Sequence, residues 1–122
     1  MARAILVVDD SPTIRQQLGI VLEHGGYEVA DADGGTAGLA CARSRAFDLI
    51  ITDVNMPEGD GLTMVSEIRK LEGYAKTPVF VLTTESKRDM VAKGGQVGAT
   101  AWIVKPFNPE ALCRAIAKVL GP

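Results

Sequence analysis

The chain of 122 residues is 47% hydrophobic and 23% charged, with 13 basic against 15 acidic residues and a formal charge of −2. That length fits one domain, spanning 1–122, that buries its own core, and the composition excludes disordered, collagen-like and disulfide-scaffold classes. The slightly acidic balance also excludes non-specific nucleic-acid binding, which depends on a positive field.

From the N-terminus, residues 4–8 (Ala-Ile-Leu-Val-Val) form a short apolar run, β-branched in part, as expected of a strand buried on both faces. Asp9 and Asp10 cut it off, too early for a signal-peptide core. No later run nears the ~18 apolar residues of a membrane span, so a cytoplasmic protein with no membrane contact is expected. Ser11 and Pro12 predict an N-cap and first helical turn, followed by a stripe of Ile14, Leu18, Val21 and Leu22. Gly25-Gly26 stops that helix. A weaker strand follows over 27–31, then an alanine-rich helix over 35–45 with Leu39 and Ala42 inward, then a third strand over 48–52. A loop over 53–60 leads to a helix opened by Gly61, in which Met64, Ile68 and Leu71 share a face. Residues 78–82 predict a fourth strand and 100–104 a fifth. Between them, 86–97 predicts a weak helix: Ser86 and Asp89 suit a capping box, but Gly94-Gly95 costs about 1 kcal/mol per glycine relative to alanine. Asn108-Pro109 caps a final helix with a stripe of Leu112, Ala115, Ile116 and Val119. Cys41 and Cys113 fall within helices, without metal-ligand spacing, and are expected to be reduced core thiols.

Five strands alternating with five helices predict an α/β fold: a doubly wound parallel sheet covered on both faces. Periodicity alone leaves the strand order open. In such a sheet ligands bind beyond the carboxyl ends of the strands, so the polar residues there are the candidates. They are Asp9 and Asp10 after the first strand, Asp53 after the third, Thr83 and Thr84 after the fourth, and Lys105 after the fifth. Carboxylates packed together either hold protons or hold a cation. Oxygen donors without histidine or thiolate select Mg²⁺, with Mn²⁺ as the alternative. A carboxylate beside such an ion can attack a phosphoryl donor and form an acyl phosphate. The plainer reading is a polar strand edge whose Asp9 or Asp10 serves the next helix N-terminus. On chemistry alone both readings stand.

The segments Leu-Val-Val-Asp-Asp-Ser at 6–11, Asp-Leu-Ile-Ile-Thr-Asp-Val-Asn-Met-Pro at 48–57, Gly-Asp-Gly-Leu at 59–62 and Lys-Pro-Phe at 105–107 resemble the receiver domain of two-component response regulators. The likeness runs over essentially the whole chain, with the motifs in order. It implies a flavodoxin-like sheet of order 2-1-3-4-5 and a phosphoryl group accepted on Asp53 from a histidine kinase. Asp10 would bind Mg²⁺ directly, Asp9 through water, and Asn55 through its backbone carbonyl. Asp53 would share that ion. Thr83 would be the switch hydroxyl, Lys105 the cation pairing with phosphate, and Lys105-Pro106 a cis peptide.

The stretches at 83–86 and 98–109 are similar to stand-alone chemotaxis regulators of the CheY type, which implies a CheA-like kinase upstream and a protein target such as the flagellar motor switch. No output domain follows the fifth helix, so output by protein binding, from a monomer, is expected. The reading face would be the fourth helix, fifth strand and fifth helix, with Trp102 turning inward as Thr83 moves. Most relatives carry Tyr or Phe at the Trp102 position. Asn55 and Glu85 would flank the water that removes the phosphoryl group, an arrangement resembling rapidly self-dephosphorylating members. Two rival readings are a stand-alone receiver of another two-component or phosphorelay pathway, and a haloacid-dehalogenase-like phosphohydrolase. The second fits less well, because those enzymes place the nucleophile after the first strand and need a cap for which there is no length.

Overall fold

The structure, a computed structural model, describes residues 2–56, 61–84, 88 and 99–121. Its elements run β1 (Ala4–Val8), α1 (Pro12–His24), β2 (Glu28–Ala32), α2 (Gly35–Ser44), β3 (Leu49–Thr52), α3 (Gly61–Arg69), β4 (Val79–Thr83), β5 (Ala101–Val104) and α4 (Pro109–Leu120). The helix expected over 86–97, including Gly94 and Gly95, falls outside the described residues apart from Arg88. The helix labelled α4 is therefore the fifth of the sequence-based expectation.

All strand pairs are parallel and the order is β2-β1-β3-β4-β5. The alternation of side chains along β1 shows why both faces are covered. Ile5 and Val7 pack with Leu18 and Leu22 of α1 and with Leu112, Ile116 and Leu120 of α4. Ala4, Leu6 and Val8 point the other way, onto Ala42 of α2 and Met64, Val65 and Ile68 of α3. β3 and β4 lie fully buried between the same layers, and each such aliphatic side chain contributes roughly 1.5–3 kcal/mol on burial. β2 and β5, at the edges, are only partly covered.

The helix ends follow the local chemistry. Ser11 accepts a hydrogen bond from the Ile14 amide ahead of Pro12, and Asn108 accepts one from Ala111 ahead of Pro109. Gly26 turns the chain out of α1 at φ +90°, a conformation that disfavours any side chain. Two expectations need correction. Val119 is 37% exposed, and Leu120 takes its place in the core, because the buried stripe of α4 advances by fours through Leu112, Ile116 and Leu120. Cys41 and Cys113 are free but only partly buried, so they line the margin of the core rather than its centre.

Candidate functional site

The chain reverses its winding direction at β1 and β3, and the crevice beyond those strand ends is where a doubly wound sheet places its ligands. Backbone bonds fix Asp9, Asp53, Thr83 and Lys105 there. The Asp9 amide donates to the Ala32 carbonyl at the end of β2, and the Asp53 amide to Val8 at the end of β1. The Lys105 amide donates to the Thr83 carbonyl at 2.8 Å, tying the ends of β4 and β5. The Lys105-Pro106 peptide is cis.

Side chains from three strands meet on this frame. Lys105 Nζ lies 2.8 Å from Asp9 Oδ2 and 2.9 Å from Asp53 Oδ2, although 52 positions separate Asp53 from Lys105. Asp9 and Asp53 are buried and Asp10 is exposed, and one oxygen from each lies within 4.8 Å of the others. At that spacing two carboxylates repel by about 3.5 kcal/mol at an effective dielectric of 20. Lys105 offsets one of the three charges, so two negative charges remain. That residue of charge, on oxygen donors alone, suits one divalent ion of the Mg²⁺ or Mn²⁺ kind.

The titration behaviour follows from burial. Desolvation pushes the Asp9 carboxyl above its ordinary range, and the Lys105 hydrogen bond and the Ser11 amide only partly oppose it. For Lys105, burial works against the ammonium. The hydrogen bonds and charges of Asp9 and Asp53 outweigh it and hold the amine above its usual value, so the lysine stays charged.

Asp53 itself is tightly placed. Its Oδ1 accepts from the Val54 amide at 2.6 Å, and its carbonyl accepts from Thr52 Oγ1 at 2.8 Å. The Gly61 amide donates to the Val54 carbonyl, and a Cβ on Gly61 would run into the Asp53 carbonyl. Glycine at 61 is thus set by close approach to the site. Thr83 is fully buried at the end of β4. Trp102 is half-buried on β5, paired in register with Val81 of β4, and joins the small apolar cluster built on Val54 and Val81. Asn55 is exposed. Glu85, Pro57, Gly59 and Asp60 lie outside the described residues.

The sequence reading missed Arg15. It sits on α1, where it looks like a solvated charge, yet it donates to the Asp9 carbonyl and to Asp31. Its spacing of six from Asp9 carries no motif, and only the approach of β2 reveals the contact.

Fold and site together define a class: flavodoxin-like α/β proteins with an acid cluster and a lysine at the topological switch point. Residues 5–117 match the family model of the response regulator receiver domain, and the chain belongs to that family, a receiver domain of two-component signalling. It is 36% identical over 116 residues to the chemotaxis protein CheY of Pseudomonas aeruginosa, covering 94% of each chain. Among solved structures, CheY4 of Vibrio cholerae superposes with a TM-score of 0.91 at 44% identity, over 98% of this chain and 100% of that one. The response regulator TrrA of Thermotoga maritima, in complex with Mg²⁺-BeF, superposes with a TM-score of 0.85 at 35% identity, covering 97% of this chain and 99% of that one. Receiver domains are signalling proteins rather than catalysts, which leaves the dehalogenase-like reading without support. They bind Mg²⁺ at an acidic pocket, and the Asp9, Asp10 and Asp53 cluster has that character.

Proposed function

We propose that residues 1–122 act as one phosphorylation-controlled switch, in which Asp53 accepts a phosphoryl group from a histidine kinase and the altered surface binds a downstream protein. The observation that supports this most is the pair of contacts from Lys105 to Asp9 and Asp53. They set a cation, a nucleophilic carboxylate and a metal-binding cluster within one crevice.

In the transfer step an Asp53 carboxylate oxygen forms a bond to phosphorus while the phosphorus–nitrogen bond of the kinase phosphohistidine breaks, and the imidazole leaves with the electron pair. The Val54 amide holds Asp53 Oδ1, so the attacking carboxylate is oriented before the donor arrives. Lys105, already on Oδ2, moves onto a phosphoryl oxygen and keeps its charge through the step. Asp10 and Asp9 would hold Mg²⁺, the first directly and the second through water, with Asp53 and the Asn55 carbonyl completing the protein ligands. That ion, when bound, screens the charge between carboxylate and phosphate. Thr83 then shifts toward the phosphate and Trp102 follows inward. Such a change is a shift between states that coexist before phosphorylation. The surface it alters includes β5 and α4. Hydrolysis by water, flanked by Asn55 and Glu85, breaks the phosphorus–oxygen bond and restores the carboxylate, so a short-lived signal is expected.

The CheY relatives support a place in chemotaxis, with a CheA-like kinase upstream and the flagellar motor switch as the kind of target. A cytoplasmic monomer fits this role. Acetyl phosphate with MgCl₂, followed by intact-mass measurement, tests the central step. The parent chain should gain one phosphoryl group and Asp53→Asn none, and equal gain by both would remove Asp53 from the mechanism.

A further inference from the structure

The peptide that follows Asp9 is held at its carbonyl by a side chain, and that side chain lies outside the acid cluster. Asp9 donates its amide to the Ala32 carbonyl at 3.1 Å, a bond made by backbone atoms alone. Its carbonyl accepts from Arg15 Nη1 at 2.7 Å. That carbonyl lies in the rigid peptide plane joining Asp9 to Asp10, so whatever holds it sets the direction in which Asp10 leaves the chain. Arg15 Nε in turn donates to Asp31 Oδ2 of β2 at 3.0 Å. The Arg15 side chain is 19% exposed and that of Asp31 55%, so Asp31 anchors the guanidinium from the solvent side.

We propose that Arg15, anchored by Asp31, is a positioning residue for the metal end of the site: it orients the Asp9-Asp10 peptide and so aims the exposed Asp10 carboxylate at a divalent cation. This rests on the metal-binding reading of the acid cluster given above. The planar fork of a guanidinium reaches two acceptors at once, which a lysine ammonium does not reproduce in the same geometry. Asp31 also balances the charge of Arg15, so the arginine does not act as an uncompensated cation beside the ion it helps to place.

Two effects of removing Arg15 have opposite sign, which makes the proposal testable. A bystander cation near the cluster would weaken Mg²⁺ binding, so its removal would tighten it. A positioning residue behind the ligands strengthens binding, and loss of such a support typically costs roughly tenfold or more in metal affinity. Isothermal titration of the full chain with MgCl₂ should therefore show Arg15→Met binding about tenfold more weakly than the parent, with thermal melts in EDTA confirming that the variant is folded. Arg15→Lys, which keeps both charge and helix propensity, should also bind more weakly, and it carries the comparison should Arg15→Met melt too early to titrate. Unchanged or tighter binding in the folded variants would overturn the proposal. Absence of Mg²⁺ binding by the parent chain would instead overturn the metal-site reading on which it rests.

Discussion

Asp9 is 2% exposed and carries a carboxylate in a place where burial favours the proton. Its folded pKa lies above its unfolded one, so between the two values the folded state binds more protons, and stability falls as pH rises through that window. Above the window the full cost of the charge is present. Asp9→Asn is therefore expected to raise the melting temperature of the metal-free protein at pH 7 and to give no gain at pH below the unfolded carboxyl range, read from melts in EDTA. Lys105 has the opposite linkage. Its folded pKa is raised, so the stability it contributes is complete below its unfolded value and is lost as pH rises through the folded one. Lys105→Met, which strands two carboxylates without their shared cation, should cost about 2 kcal/mol at pH 7 in EDTA, less than a fully buried pair because the lysine is partly exposed. Equal melting temperatures for Lys105→Met and the parent would show that the lysine does not balance the cluster.

Elements put these residues in place, and two contacts between elements carry more than their sequence suggests. The Gly61 amide caps the Val54 carbonyl at the start of α3, and its missing Cβ leaves room for the Asp53 carbonyl. Gly61→Ala should displace that carbonyl and cost roughly 1–3 kcal/mol, the range for overpacking a tight site, measured by urea unfolding. Far from the site, the Tyr74 hydroxyl donates to the Ala42 and Arg45 carbonyls at the end of α2, at 3.0 and 2.7 Å. Burial pushes that phenol above its usual pKa and keeps it a donor. Tyr74→Phe should lower stability by about 1 kcal/mol through the unpaired helix end, with metal binding unchanged. Neither contact is legible in the sequence, because each joins residues through the fold rather than through a motif. The strands were legible for the opposite reason: Ala4–Val8 and Val79–Thr83 are buried on both faces and read as unbroken apolar runs. In α4 the helix period was clear, but Val119 and Leu120 are adjacent apolar residues, and only packing decides which one the core takes.

At the scale of the whole molecule, the strand ends at 9, 53, 83 and 105 could be brought to one edge from the sequence alone, since every strand of a parallel sheet ends there. Periodicity left the strand order open and the family likeness supplied it. Arg15 stayed hidden because its two partners come from different strands. Mg²⁺ binding to the folded state alone should stabilise the chain by about 1.4 kcal/mol at an ion concentration ten times the Kd, a shift visible in thermal melts and reversed by EDTA. The most direct test of the site uses Trp102, the single tryptophan, which belongs to the apolar cluster that holds Val54, the residue after Asp53. Its fluorescence is titrated with MgCl₂ and then with beryllofluoride. The account expects a saturable response to Mg²⁺ and a second one to beryllofluoride that is lost in Asp53→Asn. Indifference to both additions, in protein shown to be folded, would contradict it.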